Sequence, residues 1–248
     1  MTDPFRLEEY RTQLAKAKNY PELKKTYSSK FPEIQDFNTS KLWDKLNFEI
    51  SDPKTQYPMM WDRINTVARL IPAGVKKVMD IGFGGGQLED IVGNSYDWYG
   101  IDISPKSVTS AARRHPDKQF KIGQITNLKF TKNSFDCVIA LELLEHIPPH
   151  QTLNALSQSY KVLKPGGYLI VSIPLNEGLE HMGSNPNAHV RVYTPALIVA
   201  ELTIAGFKII TKQYLYAFHN NYSIKKLITR LLPFLKQPNV IILLVQKK

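Results

Sequence analysis

Cysteine is almost missing from this sequence. Its 248 residues contain one, Cys137, so no disulfide can form within the chain. Long apolar runs are missing as well, because the run from Val240 to Val245 is far shorter than the roughly 20 residues that span a bilayer. The opening residues, MTDPFRLEEY, lack the apolar stretch of a signal peptide. We therefore expect a protein without transmembrane segments that works in the reducing cytoplasm.

Acidic residues are missing from the C-terminal part of the chain. No Asp or Glu follows Glu201, and the net charge of the whole chain is +10. A positive region of this kind attracts nucleic acid, anionic lipid or an anionic small substrate. An ordinary solvated surface would give the same pattern, so the charge leaves the partner open. The basic residues after Glu201 are Lys208, Lys212, Lys225, Lys226, Arg230, Lys236, Lys247 and Lys248.

Residues 1–73 have a helical pattern that differs from the remainder. Apolar residues recur at helical spacing in LEEYRTQLAKA and in MMWDRINTVARLI. Asn38-Thr39-Ser40 forms a capping pattern before a third amphipathic stretch, and Pro72 and Gly74 end the region. We predict an N-terminal helical extension over residues 1–73 and a separate domain over residues 74–248.

From Lys76 onwards, short apolar runs alternate with helical patterns. Such alternation predicts a mostly parallel sheet covered by helices on both faces, which is an α/β fold of the doubly wound type with seven strands. We expect helices in QLEDIVGN, SVTSAARRH, TLNALSQSYKVL and TPALIVAELTIAGF. We expect strands in KKVMDIGF, YDWYGIDIS, QFKIGQI, SFDCVIALEL and GYLIVSIP, and over residues 207–216 and 239–246.

A glycine loop, with Gly82, Gly84 and Gly86, follows the first strand and precedes a helix. Glycines let the backbone turn sharply and approach a ligand, and ligands of open α/β sheets bind beyond the carboxyl ends of the strands. The dinucleotide-binding fingerprint would need a glycine where Gln87 stands, which argues against a nicotinamide-dependent dehydrogenase. The loop therefore predicts a nucleotide site of another kind.

Two acidic residues stand at the ends of the first two strands. Asp80 precedes the glycine loop, where a carboxylate disfavours a phosphate and suits a cationic amino group. Asp102 ends the second strand, where an acidic side chain can accept hydrogen bonds from both hydroxyls of a ribose. Both residues therefore join the loop as predicted ligand contacts.

The stretch from about Val78 to Phe207 resembles the class I S-adenosylmethionine (SAM)-dependent methyltransferases. VMDIGFGGG matches the family's motif I and GIDIS its motif II, while NSFDCVIALELLEHI matches the fourth-strand motif and LKPGGYLIVSIP the next turn and strand. The likeness is greatest to the small-molecule branch typified by ubiquinone-pathway enzymes. It implies a Rossmann-like fold and transfer of a methyl group from SAM to a small molecule, at an oxygen atom.

The resemblance also implies which residues bind SAM. The glycine loop lines its methionine end, Asp102 holds its ribose, Ile103 lies beside the adenine, and Leu141 and Glu142 lie near the methyl group. Gln124 stands where the family often has an aspartate, and its amide oxygen can still accept a hydrogen bond from the adenine. The predicted cofactor-binding residues are Asp80, Gly82, Phe83, Gly84, Gly86, Asp102, Ile103, Gln124, Ile125 and Leu141.

A second cluster of reactive side chains is predicted after the fourth strand. Glu142-x-x-Glu145-His146 places two carboxylates and an imidazole in one turn, and His189 could join them. A divalent metal such as Mg²⁺ would suit this set, which resembles that of metal-dependent O-methyltransferases, including small-RNA 2′-O-methyltransferases. Alternatively, Glu145 and His146 simply start a helix.

The same cluster supplies the candidate catalytic residues. We predict catalytic roles for Glu142, His146 and His189, because a proton-bearing acceptor needs a base. His181 and Tyr193 are further candidates for the base. A second interpretation is that His189 contacts an anionic substrate group together with Arg191.

Lids and pocket walls are expected in three segments: residues 1–73, about 175–193 and about 217–238. Aromatic and methionine side chains near the first of these either wall a substrate pocket or pack in the core. A basic amphipathic helix in the last segment either lies on its own domain as a lid, which we favour, or lies on an anionic membrane. The wall candidates are Trp43, Tyr57, Met59, Met60 and Trp61, and the apolar face of the helix comprises Ile224, Leu227, Ile228, Leu231 and Leu232.

Two other functions remain open from the sequence. The basic C-terminal segment and the Glu-x-x-Glu-His turn are compatible with an RNA methyltransferase, although a small molecule, anionic or lipid-like, is the favoured partner. The chain could also bind SAM without catalysis, as a partner module.

Overall fold

A computed structural model of the chain describes residues 38–45, 58–175, 177, 188–218, 221–232 and 236–248. Seven strands form one sheet within these residues. They are β1 (Lys77–Ile81), β2 (Asp97–Asp102), β3 (Gln119–Ile122), β4 (Phe135–Leu141), β5 (Leu163–Pro174), β6 (Phe207–Leu215) and β7 (Val240–Lys247).

The helices alternate with these strands along the chain. They are α1 (Ser40–Lys45), α2 (Pro58–Leu70), α3 (Gln87–Val92), α4 (Pro105–Arg114), α5 (Pro149–Val162), α6 (Pro195–Ile204) and α7 (Tyr222–Leu231), with a 3-10 turn at Leu144–His146 between β4 and α5.

The strand order is β3-β2-β1-β4-β5-β7-β6. The five strands from β3 to β5 are parallel neighbours, and β7 runs antiparallel between β5 and β6. The predicted doubly wound, seven-stranded, mostly parallel sheet is therefore confirmed. The order reverses between β1 and β4, and a ligand of such a sheet binds at the carboxyl ends of the strands at this switch point.

Both faces of the sheet are buried, which explains why its strands read as continuous apolar runs. Side chains alternate between two core clusters along each strand: Met79 of β1 belongs to one cluster and Val78 to the other. Ile64 and Val67 of α2 pack in the second cluster, so this helix is part of a layer on the sheet.

Capping residues begin the helices that lead into the candidate site. The Thr39 hydroxyl accepts from Leu42 N at 3.2 Å and starts α1, as its capping pattern predicts. Thr194 does the same for α6, which has Pro195 in its first turn and is followed by Gly206 with φ +97°. The helical stretch LEEYRTQLAKA, Tyr57 and His181 lie outside the described residues.

The C-terminal helix α7 departs from expectation. We expected its apolar face to pack on its own domain as a lid, yet Ile224, Leu227 and Leu231 are 64%, 58% and 71% exposed. The helix is instead attached by polar contacts to Asp62 of α2. Across the described part of the chain, no helix is both long enough and apolar enough to cross a membrane.

Candidate functional site at the carboxyl ends of the strands

The glycine loop turns sharply between β1 and α3. Gly82 and Gly84 have φ values of +73° and +55°, a region that side chains with a Cβ rarely adopt. Gly82 N donates to Ile101 O at 2.7 Å, and a Cβ on Gly82 would lie 3.0 Å from Leu143. The loop is thereby held between the ends of β2 and β4, where the predicted ligand would sit.

Asp102 fastens this loop to the end of β2. Its two carboxylate oxygens accept from Gly84 N at 2.9 Å and from Ser104 N at 2.8 Å. Burial raises the pKa of Asp102, and the two backbone donors oppose that shift. Each oxygen can accept a second hydrogen bond, so the carboxylate of Asp102 can still bind a pair of ligand hydroxyls.

Asp80 lies deeper, at the end of β1, and is 3% exposed. Its Oδ1 is buried and has no hydrogen-bond partner among the described residues. Burial raises its pKa well above the usual range, and the nearby carboxyls of Glu89 and Asp102 raise it further. An unsatisfied carboxyl in this place favours a cationic ligand group.

Glu89 is a third acidic residue of this group, and sequence reasoning missed it. It is fully buried on α3, and its Oε1 accepts from the Trp98 indole at 3.0 Å. Burial raises the pKa of Glu89 to about 7. Acidic residues in the first turn of a helix are common and usually solvated, so QLEDIV carried no signal that this one turns inward.

The remaining predicted cofactor residues differ in how far they are buried. Phe83 stacks edge-on against Phe120 at 5.1 Å between ring centres and is 7% exposed. Ile125 is 2% exposed in the core, whereas Gln124 is exposed. Ile103 and Leu141 are half-buried.

Glu142, the first residue after β4, is held in an unusual backbone conformation with φ +48°. Its Oε2 pairs with Arg63 Nη1 of α2 at 3.0 Å, and its Oε1 accepts from the Ser172 hydroxyl at 2.8 Å. A non-glycine residue at positive φ costs free energy and is often found at functional sites. The contacts turn the carboxylate of Glu142 towards α2 and β5.

Glu145, His146 and His189 form a compact buried cluster. One potential ligand atom from each lies within 4.8 Å of the other two. Both carboxylate oxygens of Glu145 are buried and make no hydrogen bond within the described residues. The structure thus gathers three of the four predicted metal-binding residues, and Glu142 is outside this cluster.

A backbone carbonyl contacts one histidine ring, and a carboxylate contacts the other. His146 Nδ1 lies 3.2 Å from Ala188 O, and Val190 N donates to Glu145 O at 2.9 Å. His189 Nδ1 lies 2.8 Å from a carboxylate oxygen of Glu177. A carboxylate or carbonyl on one ring nitrogen is the arrangement that orients histidines which bind metals through the other nitrogen.

The pKa of His146 suits a metal ligand better than it suits a general base. Burial and the neighbouring His189 lower the pKa of His146 to about 3, so its ring is neutral near pH 7. Burial and the charge of Glu142 raise the pKa of Glu145. A group with a pKa of about 3 is a weak general base at neutral pH, whereas a metal requires neutral imidazole.

Helix α1 lies over both halves of the site. The Trp43 ring meets the His146 ring edge-on at 4.7 Å, and Asp44 accepts from the Ser104 hydroxyl at 2.7 Å. Met60 and Trp61 on α2 are half-buried, and Met59 packs against the core. The described part of the N-terminal extension therefore covers the edge where a lid is expected.

Arg191 and Tyr193, two further residues predicted for the site, are both buried. Arg191 is 3% exposed and pairs with Glu201, and its Nη1 donates to the Thr152 hydroxyl at 3.0 Å. Tyr193 donates to Glu201 at 2.9 Å, and burial raises the pKa of its phenol well above 10. Both side chains therefore belong to a buried network around Glu201, and the roles proposed for them, as an anion contact and as a base, stay predictions.

Comparison with known proteins gives a match over the central part of the chain. Residues 79–171 match a family model described as a methyltransferase domain. A demethylmenaquinone methyltransferase of Paenarthrobacter aurescens is 33% identical over 132 residues, which are 52% of this chain and 49% of that protein. A ubiquinone biosynthesis O-methyltransferase of Pseudomonas putida is 28% identical over 151 residues, 58% of this chain and 60% of that protein. The chain thus spans half to three fifths of these relatives.

Solved structures share the fold at lower identity. The N-methyltransferase NodS of Bradyrhizobium japonicum, in complex with S-adenosyl-L-homocysteine, superimposes with a TM-score of 0.66 and 16% identity. The match covers 86% of this chain and 99% of that protein. At this identity the likeness establishes the Rossmann-like fold.

Replacing Arg191 tests the buried network that attaches the segment after β5 to α6. We expect Arg191→Met to lower the free energy of unfolding by about 3–5 kcal/mol, because it leaves the Glu201 carboxylate buried without its cation. Burial already raises the pKa of Glu201. When a carboxyl has a raised pKa in the folded state, the protein becomes less stable as pH rises and the carboxyl ionises. The stability deficit of Arg191→Met should therefore shrink as pH falls towards the ordinary pKa range of a glutamate.

Urea unfolding of the wild type and the variant at pH 7 and under acidic conditions measures this deficit. The double variant Arg191→Met, Glu201→Gln is the matched control, since it removes both charges and keeps an acceptor for the Tyr193 hydroxyl. An equal deficit in the single and double variants would contradict the assignment.

Proposed function

We propose that the chain transfers a methyl group from SAM to a small-molecule acceptor, at an oxygen atom, because residues 79–171 match a family model described as a methyltransferase domain and the chain shares its fold with a solved N-methyltransferase. The observation that carries the proposal is the group of buried carboxyls around a left-handed glycine loop, at the switch point of the sheet. It lies within the segment that matches the family model.

The buried carboxyls around the glycine loop fit the positive charge of SAM. SAM carries a positive sulfonium and an ammonium group, and it supplies a methyl group that is already activated. Asp80, with an oxygen that lacks a partner within the described chain, suits the ammonium group, and Asp102 suits the ribose hydroxyls. Three acidic residues so close together would repel a pyrophosphate.

The residues of the site mainly position SAM and the acceptor relative to each other. Methyl transfer needs the acceptor atom, the methyl group and the sulfur in line, and correct alignment supplies a large part of the rate. Leu143, in the turn after β4, lies 3.0 Å from the place that a Cβ on Gly82 would occupy, so this turn lies against the loop that would hold the methionine end. An acceptor lying against Glu142 and this turn would face the methyl group.

The relatives support a small acceptor and leave its atom to experiment. One of them is named as an O-methyltransferase of ubiquinone biosynthesis, which supports oxygen. The other is named only as a demethylmenaquinone methyltransferase. An RNA acceptor is the alternative that the test below distinguishes.

We further propose that Glu145, His146 and His189 bind a divalent cation. The buried carboxylate oxygens of Glu145 lack hydrogen-bond partners in the described structure, and a cation would compensate their burial. Two imidazoles and one carboxylate suit Mn²⁺ or Zn²⁺ better than Mg²⁺, which prefers oxygen ligands. Such an ion would polarise the acceptor hydroxyl and lower its pKa.

Asp102→Asn tests the ribose contact. We expect the dissociation constant for SAM to rise at least about tenfold, because a hydrogen bond to a charged group is worth about 1.5–3 kcal/mol. Isothermal titration calorimetry measures it, and thermal melting checks that the variant is folded. Asp97→Asn is the control, since Asp97 begins the same strand and is exposed. Unchanged affinity in Asp102→Asn would contradict the assignment.

Glu145→Gln tests the cation site. We expect Mn²⁺ affinity to fall at least about tenfold, since even changes to the partners of metal ligands weaken binding on that scale. Titration calorimetry with Mn²⁺ alone measures it. Glu142→Gln is the control and should retain the affinity, because its carboxylate is held by Arg63 and Ser172. Full activity after strong chelation would show that the cation is not required.

Methyl-labelled SAM tests the acceptor class. The purified chain is incubated with labelled SAM and cell extract, and the label is traced in organic-soluble, RNA and protein fractions. We expect label in the organic or small-metabolite fraction, with the methylated atom identified by mass spectrometry. Label that ribonuclease removes would establish the RNA alternative, and SAM binding without label in any fraction would favour a non-catalytic module.

A further inference from the structure

Helix α7 has two opposite faces with different contacts. At 100° per residue, Tyr222, Lys226 and Thr229 fall on one side, and the apolar residues of the helix fall on the other. The first side faces the protein. The Tyr222 hydroxyl donates to Asp62 Oδ2 at 2.7 Å, Lys226 pairs with the same carboxylate, and Thr229 is 4% exposed.

The opposite face is apolar and open. Soluble helices normally bury an apolar stripe of this width against their own domain. In α7 the polar contacts with Asp62 hold the helix in the reverse orientation, so that the stripe points away from the protein. The exposed fractions are 64% for Ile224, 58% for Leu227, 43% for Ile228, 71% for Leu231 and 42% for Leu232 at its end.

Positive charge borders this face. Lys225 is exposed and occupies a helical position on one flank of the stripe. Neither the helix nor any later part of the chain contains an acidic residue. An apolar stripe with basic flanks is the pattern of helices that lie in the plane of an anionic bilayer, with the apolar side chains below the headgroups.

We propose that α7 is a membrane-docking helix that binds the surface of an anionic lipid bilayer through Ile224, Leu227, Ile228 and Leu231. The charge pattern favours lipid over the other partners. Nucleic acid would be bound through phosphate contacts to basic groups and would leave the apolar stripe exposed. A second copy packed on the same face would bring two acid-free, basic segments together, which like-charge repulsion opposes.

The helix is attached close to the candidate site. Asp62, which anchors α7, precedes Arg63, which pairs with Glu142 at the turn after β4. A bilayer bound by α7 would therefore lie near α2, which contacts this turn. Membrane binding by α7 is inferred from the exposed apolar face and its charge, and it does not depend on methyl transfer by the chain.

Sedimentation with lipid vesicles tests the proposal. We expect the full chain to sediment with vesicles of equal phosphatidylcholine and phosphatidylglycerol, and to remain in solution with phosphatidylcholine alone. Leu231→Asp should reduce the bound fraction about tenfold, because it places a negative charge in the apolar face. Ile122→Asp is the matched control, since Ile122 is 63% exposed on β3 at the other edge of the sheet.

Each other outcome would overturn the proposal. Equal vesicle binding by the wild type and Leu231→Asp would show that another basic surface is responsible. A wild type that binds no vesicles, or a dimer that Leu231→Asp converts to monomer in gel filtration, would show that lipid does not cover this face. Circular dichroism confirms folding, and Leu227→Asp provides a second variant at a 58% exposed position.

Discussion

The arrangement of the site depends on carboxyl groups buried at the carboxyl ends of the strands. Asp80, Asp102 and Glu145 are all nearly inaccessible to solvent, in a chain whose net charge is +10. Taking a carboxylate out of water is costly unless hydrogen bonds or a cation compensate. Asp102 receives two backbone hydrogen bonds, whereas Asp80 and Glu145 each keep at least one oxygen that nothing in the described residues satisfies. This imbalance is what makes the region suited to positively charged ligands.

Long-range contacts hold these groups in place. The carboxylate of Asp102 joins the loop after β1 to the end of β2, 18 residues apart in sequence. His146 and Ala188 join the turn after β4 to the segment after β5, 42 residues apart. The buried pair of Arg191 and Glu201 then fastens that segment to α6. The buried part of the site is therefore held together by contacts between segments that are distant in sequence.

Buried carboxyls and an exposed basic residue stand in two different regions of the protein. The carboxyls of Asp80 and Asp102 are buried around the predicted cofactor site, whereas Lys225 is exposed beside the apolar face of α7. Helix α2 connects the two regions, because Asp62 holds α7 and Arg63 holds Glu142.

The sequence by itself determined the fold and predicted which residues form the cofactor end of the site. Alternating apolar runs and the order of glycine loop, Asp80 and Asp102 are local patterns, and strand ends of a parallel sheet meet at one edge whatever the details. Only the tertiary structure decided that Glu89 turns inward, that Arg191 and Tyr193 are committed to Glu201, and that the apolar face of α7 points outward. Those outcomes depend on partners far apart in the chain, namely Trp98, Glu201 and Asp62. A periodic pattern shows that a helix has two faces, but the contacts of its polar face decide which one the protein covers.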